Sequence, residues 1–262
     1  MNRTWKLTDL EFVVAWEDIL REGFIPQPFV FTSRTELWND YVRERIGVRE
    51  QLVATMDNDL LELLKAMARP DIRVIAAAWD GADPQNTEKC VRVVAARRGD
   101  LGVVATQIRG ETVLHSGGYT FTECDPLALA DELVAILPDA AAGQRGEIEL
   151  ATHTDAAHLD YERQVSAVFD DFDDTVSYRS EAFSKAPVET AGQVIVVQGQ
   201  SKFGPRGIVE NRIPWRDLVD DGRYAIVSAN PPVARPVDKR QFVAVINTQI
   251  ATVVRAIKDE RV

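Results

Sequence analysis

The sequence has few of the residues that build disulfide frameworks, metal sites or polyanion-binding surfaces. Its 262 residues include only two cysteines, Cys90 and Cys124, which lack the C-x-x-C spacing of metal and redox sites and are expected to be buried. Acidic residues outnumber basic ones by 41 to 30, and the net charge of -11 disfavours nucleic acid as a partner. No local basic cluster along the chain changes that expectation. No cofactor and no metal site is predicted.

Long hydrophobic runs are also absent. No stretch approaches the roughly 20 apolar residues that a membrane helix needs, so membrane insertion is not expected. The first residues contain no apolar segment of a secretory signal, which predicts a cytoplasmic location. What is present, 45% hydrophobic and 27% charged residues, is typical of a globular protein with a sizeable core.

The first half of the chain shows helical periodicity and then strand periodicity. Thr8 and Glu11 have the three-residue spacing of a capping box, which predicts the start of an amphipathic helix. Further helices are predicted around 35–52 and 57–68, and Pro126 opens another at its first position. Segments rich in Val, Ile and Ala predict four strands between these helices, at 73–80, 89–97, 102–109 and 112–122.

The second half repeats this order. Apolar residues recur with helical spacing from Tyr161 to Phe172, and a last helix follows Pro236. Three strands are predicted between them, at 193–198, 207–215 and 223–229. We therefore predict an α+β fold with a central antiparallel β-sheet and a pseudo-two-fold internal repeat, flanked by N-terminal and C-terminal helical bundles. The chain is expected to form a single domain, 1–262, with repeat halves of about 1–140 and 147–262.

The residues that could carry catalysis or hold a metal do not form known motifs. His115 and Ser116 are adjacent, but they lack the G-x-S-x-G sequence of a nucleophile elbow. His153 and His158 do not have the i, i+4 spacing of zinc ligands on a helix. The acidic run 170–174 lacks the glycine and the final glutamate of a calcium loop. No catalytic residue is assigned, and elimination favours a binding surface over an enzyme.

The glycine-rich loop 199–207 does not have phosphate-binding spacing, and it precedes a strand instead of a helix. We interpret it as a hairpin loop. It could present Phe203 and Arg206 to a protein partner, because aromatic and arginine side chains on loops suit interfaces.

Four segments, in order along nearly the whole chain, resemble the EspG family of actinobacterial type VII (ESX) secretion. The first runs from Leu7 to Phe12 with Trp16, Glu17, Pro26 and Pro28, and the second from Leu60 to Pro70. The third runs from Gly99-Asp100 through Pro126, Leu133, Leu137 and Pro138, and the fourth is Asp221-Gly222-Arg223-Tyr224. The resemblance implies a pseudo-two-fold sheet with two helical bundles.

The resemblance also implies a function and a partner. Through this resemblance we expect a specific cytosolic chaperone. Such a protein binds the helical tip of the PPE subunit in a PE-PPE heterodimer and keeps the pair soluble for secretion. Such tips are apolar and need a cover. The implied partner surface is the loop after the first long strand, the exposed sheet face and the C-terminal helical bundle.

These expectations give a set of candidate partner-binding residues. In the loop they are Asp80, Asp83, Pro84, Asn86, Glu88 and Lys89. On the exposed sheet face, alternation selects Glu210 and Arg212, with Ile208 as an apolar anchor. Phe203 and Arg206 complete the set.

Two other functions stay open at this point. A small-ligand or lipid-binding protein could use the interface between sheet and helices as a pocket. A hydrolase would use Ser116 with His115. An exposed sheet edge would also permit a homodimer.

Overall fold

A computed structural model describes residues 3–151 and 171–261 of the chain. Its centre is one antiparallel sheet of ten strands, in the order β1-β5-β4-β3-β2-β7-β8-β9-β10-β6. The strands of the first half are β1 (Thr4–Leu7), β2 (Ile72–Asp80), β3 (Val91–Arg98), β4 (Leu101–Arg109) and β5 (Ser116–Cys124). Those of the second half are β6 (Ile148–Glu149), β7 (Val188–Gln198), β8 (Glu210–Leu218), β9 (Gly222–Val227) and β10 (Val233–Pro236).

Six helices are described. They are α1 (Asp9–Val14), α2 (Trp38–Thr55), α3 (Asn58–Ala68), α4 (Leu129–Ile136), α5 (Asp171–Lys185) and α6 (Lys239–Arg261). A π-helical turn at Ala15–Ile19 continues α1. The capping box at the start of α1 is confirmed, since Thr8 and Glu11 each accept a hydrogen bond from the other residue's backbone N–H.

The internal repeat is visible in the strand order. From the edge to the centre, the first half reads β1-β5-β4-β3-β2 and the second half reads β6-β10-β9-β8-β7. Within each half the strands therefore take the same places in the same chain order. The halves meet where β2 pairs with β7, from Ile72 opposite Gln198 to Asp80 opposite Thr190.

Each sheet face is covered by different helices. On one face α4 and α6 bury the alternate residues Val74, Ala76, Val194 and Val196 of the two central strands. On the other face α1 and α3 cover β3, β4 and β5 through a second core, which is built around Phe12. The ring centroid of Phe12 lies 4.5 Å from that of Tyr119 and 5.2 Å from that of Phe121.

The helix α5 covers a third, smaller core on the same face as α1 and α3, at the far end of the sheet. Its Phe183 packs with Leu218, Tyr224 and Ala234. Tyr224 is paired with Arg216, whose side chain lies on the face opposite to that of Trp215. The part of this face between the two helical groups belongs to β2, β7 and β8.

Several predicted boundaries were wrong for local reasons. The helix after Pro126 begins only at Leu129, because the Asp125 carboxylate accepts a hydrogen bond from the Leu127 N–H at 2.8 Å and forms a turn there. Residues 112–115 form a turn instead of the start of β5. The short strands β1, β6 and β10 were not predicted, since two to four residues carry too little alternation. The helix predicted from Tyr161, with His153, His158 and Asp170, lies outside the described residues.

A buried ion pair ties the segment between the halves to the sheet. Arg223 donates to both carboxylate oxygens of Asp217, at 2.7 and 2.9 Å, and to the carbonyl oxygen of Pro138 at 2.7 Å. The side chains of Arg223 and Asp217 are 2% and 6% exposed, and the guanidinium lies 4.4 Å from the centroid of the Trp215 ring. A pair this deep is costly to break, because the remaining charge has no water to solvate it.

We expect Asp217→Asn to lower the free energy of unfolding by about 3 kcal/mol, since it leaves the Arg223 charge buried without a counter-charge. Urea unfolding followed by circular dichroism measures this loss. The control is Glu181→Gln, which breaks an exposed pair with Lys185 on α5 and should leave the unfolding midpoint unchanged. Equal effects of the two substitutions would contradict this view of the buried pair.

Candidate partner-binding surface

The middle of the sheet carries a band of apolar side chains on the face that α1, α3 and α5 partly cover. Along β2 the residues alternate, so that Val74 and Ala76 are fully buried while their neighbours point to the other face and are half-exposed. β7 alternates in the same way. We call the resulting band the central stripe; it comprises Ile75, Ala77, Trp79, Ala191, Gln193, Ile195, Val197 and Pro214.

The strand register places the side chains of the central stripe in rows across the sheet. Ile75 lies opposite Ile195, and Trp79 lies opposite Ala191. On the β8 side, Pro214 pairs with Gln193. Trp79 is 38% exposed and Pro214 is exposed, whereas the others are half-buried. Apart from Gln193, these opposed side chains form an apolar surface.

The dimensions of the central stripe match those of a helix. Three neighbouring strands at about 4.8 Å spacing span about 10 Å, and nine residues of β2 extend over about 30 Å. An α-helix with its side chains is about 10 Å wide. Among the described residues, the helices lie beside this band and not over it, and the band is about as wide as one α-helix.

The loop from Gly81 to Cys90 joins β2 to β3 at one end of the central stripe. Asp80 is buried, and its carboxylate accepts hydrogen bonds from the Ala82 N–H at 3.0 Å and the Asn86 side-chain amide at 2.8 Å. These bonds, with Lys89 at 3.6 Å, hold the pKa of Asp80 below its usual value. Asp80 and Asn86 therefore hold the conformation of the loop.

The exposed part of this loop is its tip. Asp83 and Pro84 are exposed, and the Asp83 carboxylate accepts a hydrogen bond from the Gln85 N–H at 3.0 Å. Glu88 is exposed and lies 3.3 Å from Arg109. Lys89 is half-buried and donates to the carbonyl oxygen of Glu189 at 3.2 Å. Of the six loop candidates, the structure leaves Asp83, Pro84 and Glu88 accessible.

The second group of predicted residues lies at the opposite end of the central strands. Phe203 and Arg206 are exposed in the β7–β8 loop, where the Glu260 carboxylate of α6 accepts hydrogen bonds from Ser201 and from the Lys202 N–H. The expected strand position of Ile208 was wrong. A short 3₁₀ turn at Pro205–Gly207 delays β8 until Glu210, so Ile208 is a half-buried loop residue.

Glu210 and Arg212 are exposed on β8, as alternation predicted. Arg212 lies opposite Ile195 and Glu210 lies opposite Val197, so both border the central stripe. Glu210 accepts a hydrogen bond from Arg212 at 2.6 Å. Along the strand direction, Arg212 and Glu210 are about 17 and 23 Å from the level of Asp80. The loop candidates and the β8 candidates therefore do not form one cluster, and the central stripe is what lies between them.

Sequence reasoning missed the central stripe itself. The segment from Ile72 to Trp79 is apolar at almost every position, so alternation cannot tell which face is covered. The only signal was that Arg73 and Trp79 stand on the same face of a strand that otherwise reads as fully buried.

The groups considered for catalysis are engaged elsewhere. The Ser116 hydroxyl is buried and lies 3.0 Å from both the N–H and the carbonyl oxygen of Gly118. The His115 ring pairs with the Thr112 hydroxyl at 2.8 Å instead of with Ser116. Burial raises the pKa of Cys124 to about 12, which keeps this thiol protonated, whereas Cys90 is half-exposed instead of buried as expected.

Two kinds of feature are absent from the described residues, 3–151 and 171–261. They contain no group of three or more His, Cys, Asp or Glu side chains placed to hold a metal ion. They also contain no helix that is long and apolar enough to span a membrane.

A family model described as the EspG family matches residues 8–248. The chain belongs to the EspG family. Fourteen chains of solved structures match it, and one comes from the structure of the Mycobacterium tuberculosis type VII secretion system chaperone EspG5 in complex with a PE25-PPE41 dimer. That match has a TM-score of 0.52 at 16% identity and covers 93% of this chain and 94% of the other. No curated protein sequence matches.

The EspG family and its α+β fold are thus confirmed as the sequence predicted them. At 16% identity the structural likeness shows a shared fold and does not transfer individual residues. The surface of this EspG family member must therefore be argued from its own side chains.

We expect Asp80→Ala to loosen the β2–β3 loop, because the Ala82 N–H and the Asn86 amide lose their acceptor. Hydrogen exchange of the backbone amide of Ala82, which donates to Asp80, should become about fivefold faster. Asp83→Ala is the matched control, since that carboxylate accepts only from Gln85, and it should leave exchange at Ala82 unchanged. Unaltered exchange in the Asp80 variant would show that its carboxylate does not hold the loop.

Proposed function

We propose that this protein is a cytoplasmic specific chaperone of a type VII (ESX) secretion system. It binds the helical tip of the PPE subunit in a PE-PPE pair and keeps the pair soluble until secretion. Membership of the EspG family over residues 8–248 supports this proposal. The single structural observation that carries it is the central stripe, an apolar band wide enough for a helix between two groups of helices.

The physical reason for such a chaperone is the cost of exposing apolar surface. A helical tip with exposed apolar side chains self-associates in water, and its burial against a complementary sheet face removes that surface. This action needs shape and apolar contact but no chemical step. We therefore propose that the protein is not an enzyme.

The predicted contact residues divide into three groups under this proposal. The central stripe supplies the apolar contact, with Glu210 and Arg212 at its border. The loop tip at Asp83, Pro84 and Glu88 contacts the partner at one end, and Phe203 and Arg206 do so at the other. Asp80, Asn86 and Lys89 hold the loop. Ile208 is not proposed as an anchor.

Two further expectations about assembly belong to the proposal. We propose a single domain over residues 1–262, whose halves of about 1–140 and 147–262 share the central sheet. The edge strands β1 and β6 would offer hydrogen-bonding groups for a homodimer, although β1 carries Lys6, a charge that disfavours edge-to-edge pairing.

A pull-down from the soluble lysate of the protein's own organism tests the function. With this protein as bait, mass spectrometry should identify a PE-PPE pair in a constant ratio to the bait. A bait that returns with no protein partner would contradict the chaperone proposal.

Charge placed in the central stripe should abolish binding of that pair. Ile195→Glu would bury an unpaired carboxylate against the partner and should weaken binding at least about a hundredfold, as measured by calorimetry. The matched control is Ile108→Glu, because Ile108 is 39% exposed on β4 and points to the opposite face of the sheet. Thermal melts of both variants separate lost binding from lost folding. Equal affinities of the two variants would exclude the central stripe as the binding surface.

One cavity keeps the small-ligand function as a second candidate. A groove of about 460 Å³ lies between α6 and the β9–β10 hairpin, lined by Val227, Pro236, Val237, Ala244 and Val245 among others. Its volume lies within the usual range of ligand sites. Native mass spectrometry of the purified protein distinguishes the two functions. A small molecule bound in a stoichiometric ratio favours the ligand carrier, and the mass of the protein alone favours the chaperone.

A further inference from the structure

Arginines border the central stripe on both sides. Arg92 of β3 lies opposite Ala77, and Arg73 stands at the end of β2 opposite Val197. Across the stripe, Arg212 and Arg216 of β8 lie opposite Ile195 and Ala191. Paired residues point to the same face of a sheet, so all four side chains surround the same apolar band. We call them the arginine border.

Three of these four arginines take no part in the ion pairs of the described residues. Arg73 donates to the carbonyl oxygen of Met67 at 3.0 Å, and Arg92 donates to that of Val113 at 2.7 Å. The Arg216 guanidinium lies 5.9 Å from the Phe183 ring centroid. Within the described part of the chain, none of the three forms an ion pair with a carboxylate, and Glu22 acts on Arg73 only by longer-range attraction.

The Arg73 guanidinium lacks both a full set of hydrogen bonds and good solvation. Its Nε is buried and has no hydrogen-bond partner among the described residues. Burial lowers the pKa of Arg73, which means that its charge is poorly solvated. An anionic group at this end of the stripe would stabilise the Arg73 charge.

The fourth arginine is paired within the molecule. Arg212 forms an ion pair with Glu210 at 2.6 Å, and both side chains are largely exposed. At the loop end, Glu189 lies 3.9 Å from Lys89. The charged residues named here, four arginines and Lys89 against Glu189 and Glu210, therefore carry a net positive charge, in a protein whose net charge is -11.

We infer that the central stripe selects a helical partner whose apolar face is flanked by carboxylates. This inference rests on the proposed chaperone function and adds the chemistry of the client. The apolar band binds the client's apolar face, and the arginine border pairs with Asp or Glu side chains along its flanks. In the free protein Glu210 forms the ion pair with Arg212, and a carboxylate of the client replaces Glu210 on binding.

The spacing of the arginines sets the spacing of the client's acids. Arg212 and Arg216 are four strand residues apart on the same face, which corresponds to about 13 Å. On an α-helix lying along the strand, the positions on one flank that come nearest to this distance are seven or eight residues apart, which rise about 11 to 12 Å. A matching client carries two acidic residues about that far apart on one flank of its apolar face.

The sign of the salt effect distinguishes local attraction from overall repulsion. An acidic client is repelled by the protein's net charge, so screening alone would tighten binding as salt rises. Attraction by the arginine border predicts the opposite. Affinity for the PE-PPE pair recovered in the pull-down should fall at least about tenfold between 50 and 500 mM NaCl.

Substitutions on β8 test the border without removing core residues. Arg212→Gln and Arg216→Gln should each weaken binding of that pair and flatten its salt dependence. Arg212→Glu should weaken it at least about tenfold, and Glu210→Gln should strengthen it, because the competing carboxylate is gone. Arg43→Gln on α2 is the control, since it makes the same change in net charge at an exposed site outside the stripe.

The outcomes separate this inference from the function on which it rests. If the pair binds the wild-type protein but tightens with salt, or ignores Arg212→Glu, the arginine border does not select acids and the inference fails alone. If no PE-PPE pair binds, the proposed function fails and the inference with it. Tight binding of a single-stranded oligonucleotide at 150 mM NaCl, lost in the same arginine variants, would overturn the assignment to an acidic helix.

Discussion

The pairing of β2 with β7 is the contact on which the rest of the structure depends. Nine residue pairs join the two halves into one sheet, and the alternate side chains of both strands are buried under α4 and α6. Without this pairing, each half would end in a long apolar edge strand with unpaired backbone groups, which invites aggregation. The halves therefore stabilise each other, and one continuous core on this face results.

The same pairing creates the exposed surface. Each half covers the outer part of the opposite face with its own helices, α1 and α3 in the first half and α5 in the second. In the described part of the chain, neither group reaches across the junction. The centre of the sheet thus keeps one face for the core and presents the other. The position of the candidate surface follows from the internal repeat, because the surface lies at the junction where the two halves meet.

The sequence could predict features that depend on neighbouring residues. The capping box at Thr8 and the alternation that exposes Glu210 and Arg212 were confirmed. Features that depend on distant residues could not be predicted in this way. Which face of the apolar segment in β2 stays open depends on where Phe12 and Phe183 pack, and these lie more than sixty residues to one side and a hundred to the other. The strand position of Ile208 was wrongly predicted for a local reason, the turn at Pro205–Gly207.

The arginine border as a cluster could not be predicted from the sequence, because its members come from three strands. Arg73 and Arg216, the two farthest apart, are separated by 143 positions. Its presence resolves a conflict between binding and solubility. A purely apolar band of this length would attract any apolar surface, including a second copy of the chain. Arginine stems can cover apolar surface, and the exposed Arg212 keeps its guanidinium in water, so these charged side chains partly shield the band when it is free. A partner with matching carboxylates compensates these charges on binding, whereas a purely apolar competitor leaves them desolvated and unpaired. The border thus turns a surface that would bind many apolar partners into one that discriminates among them.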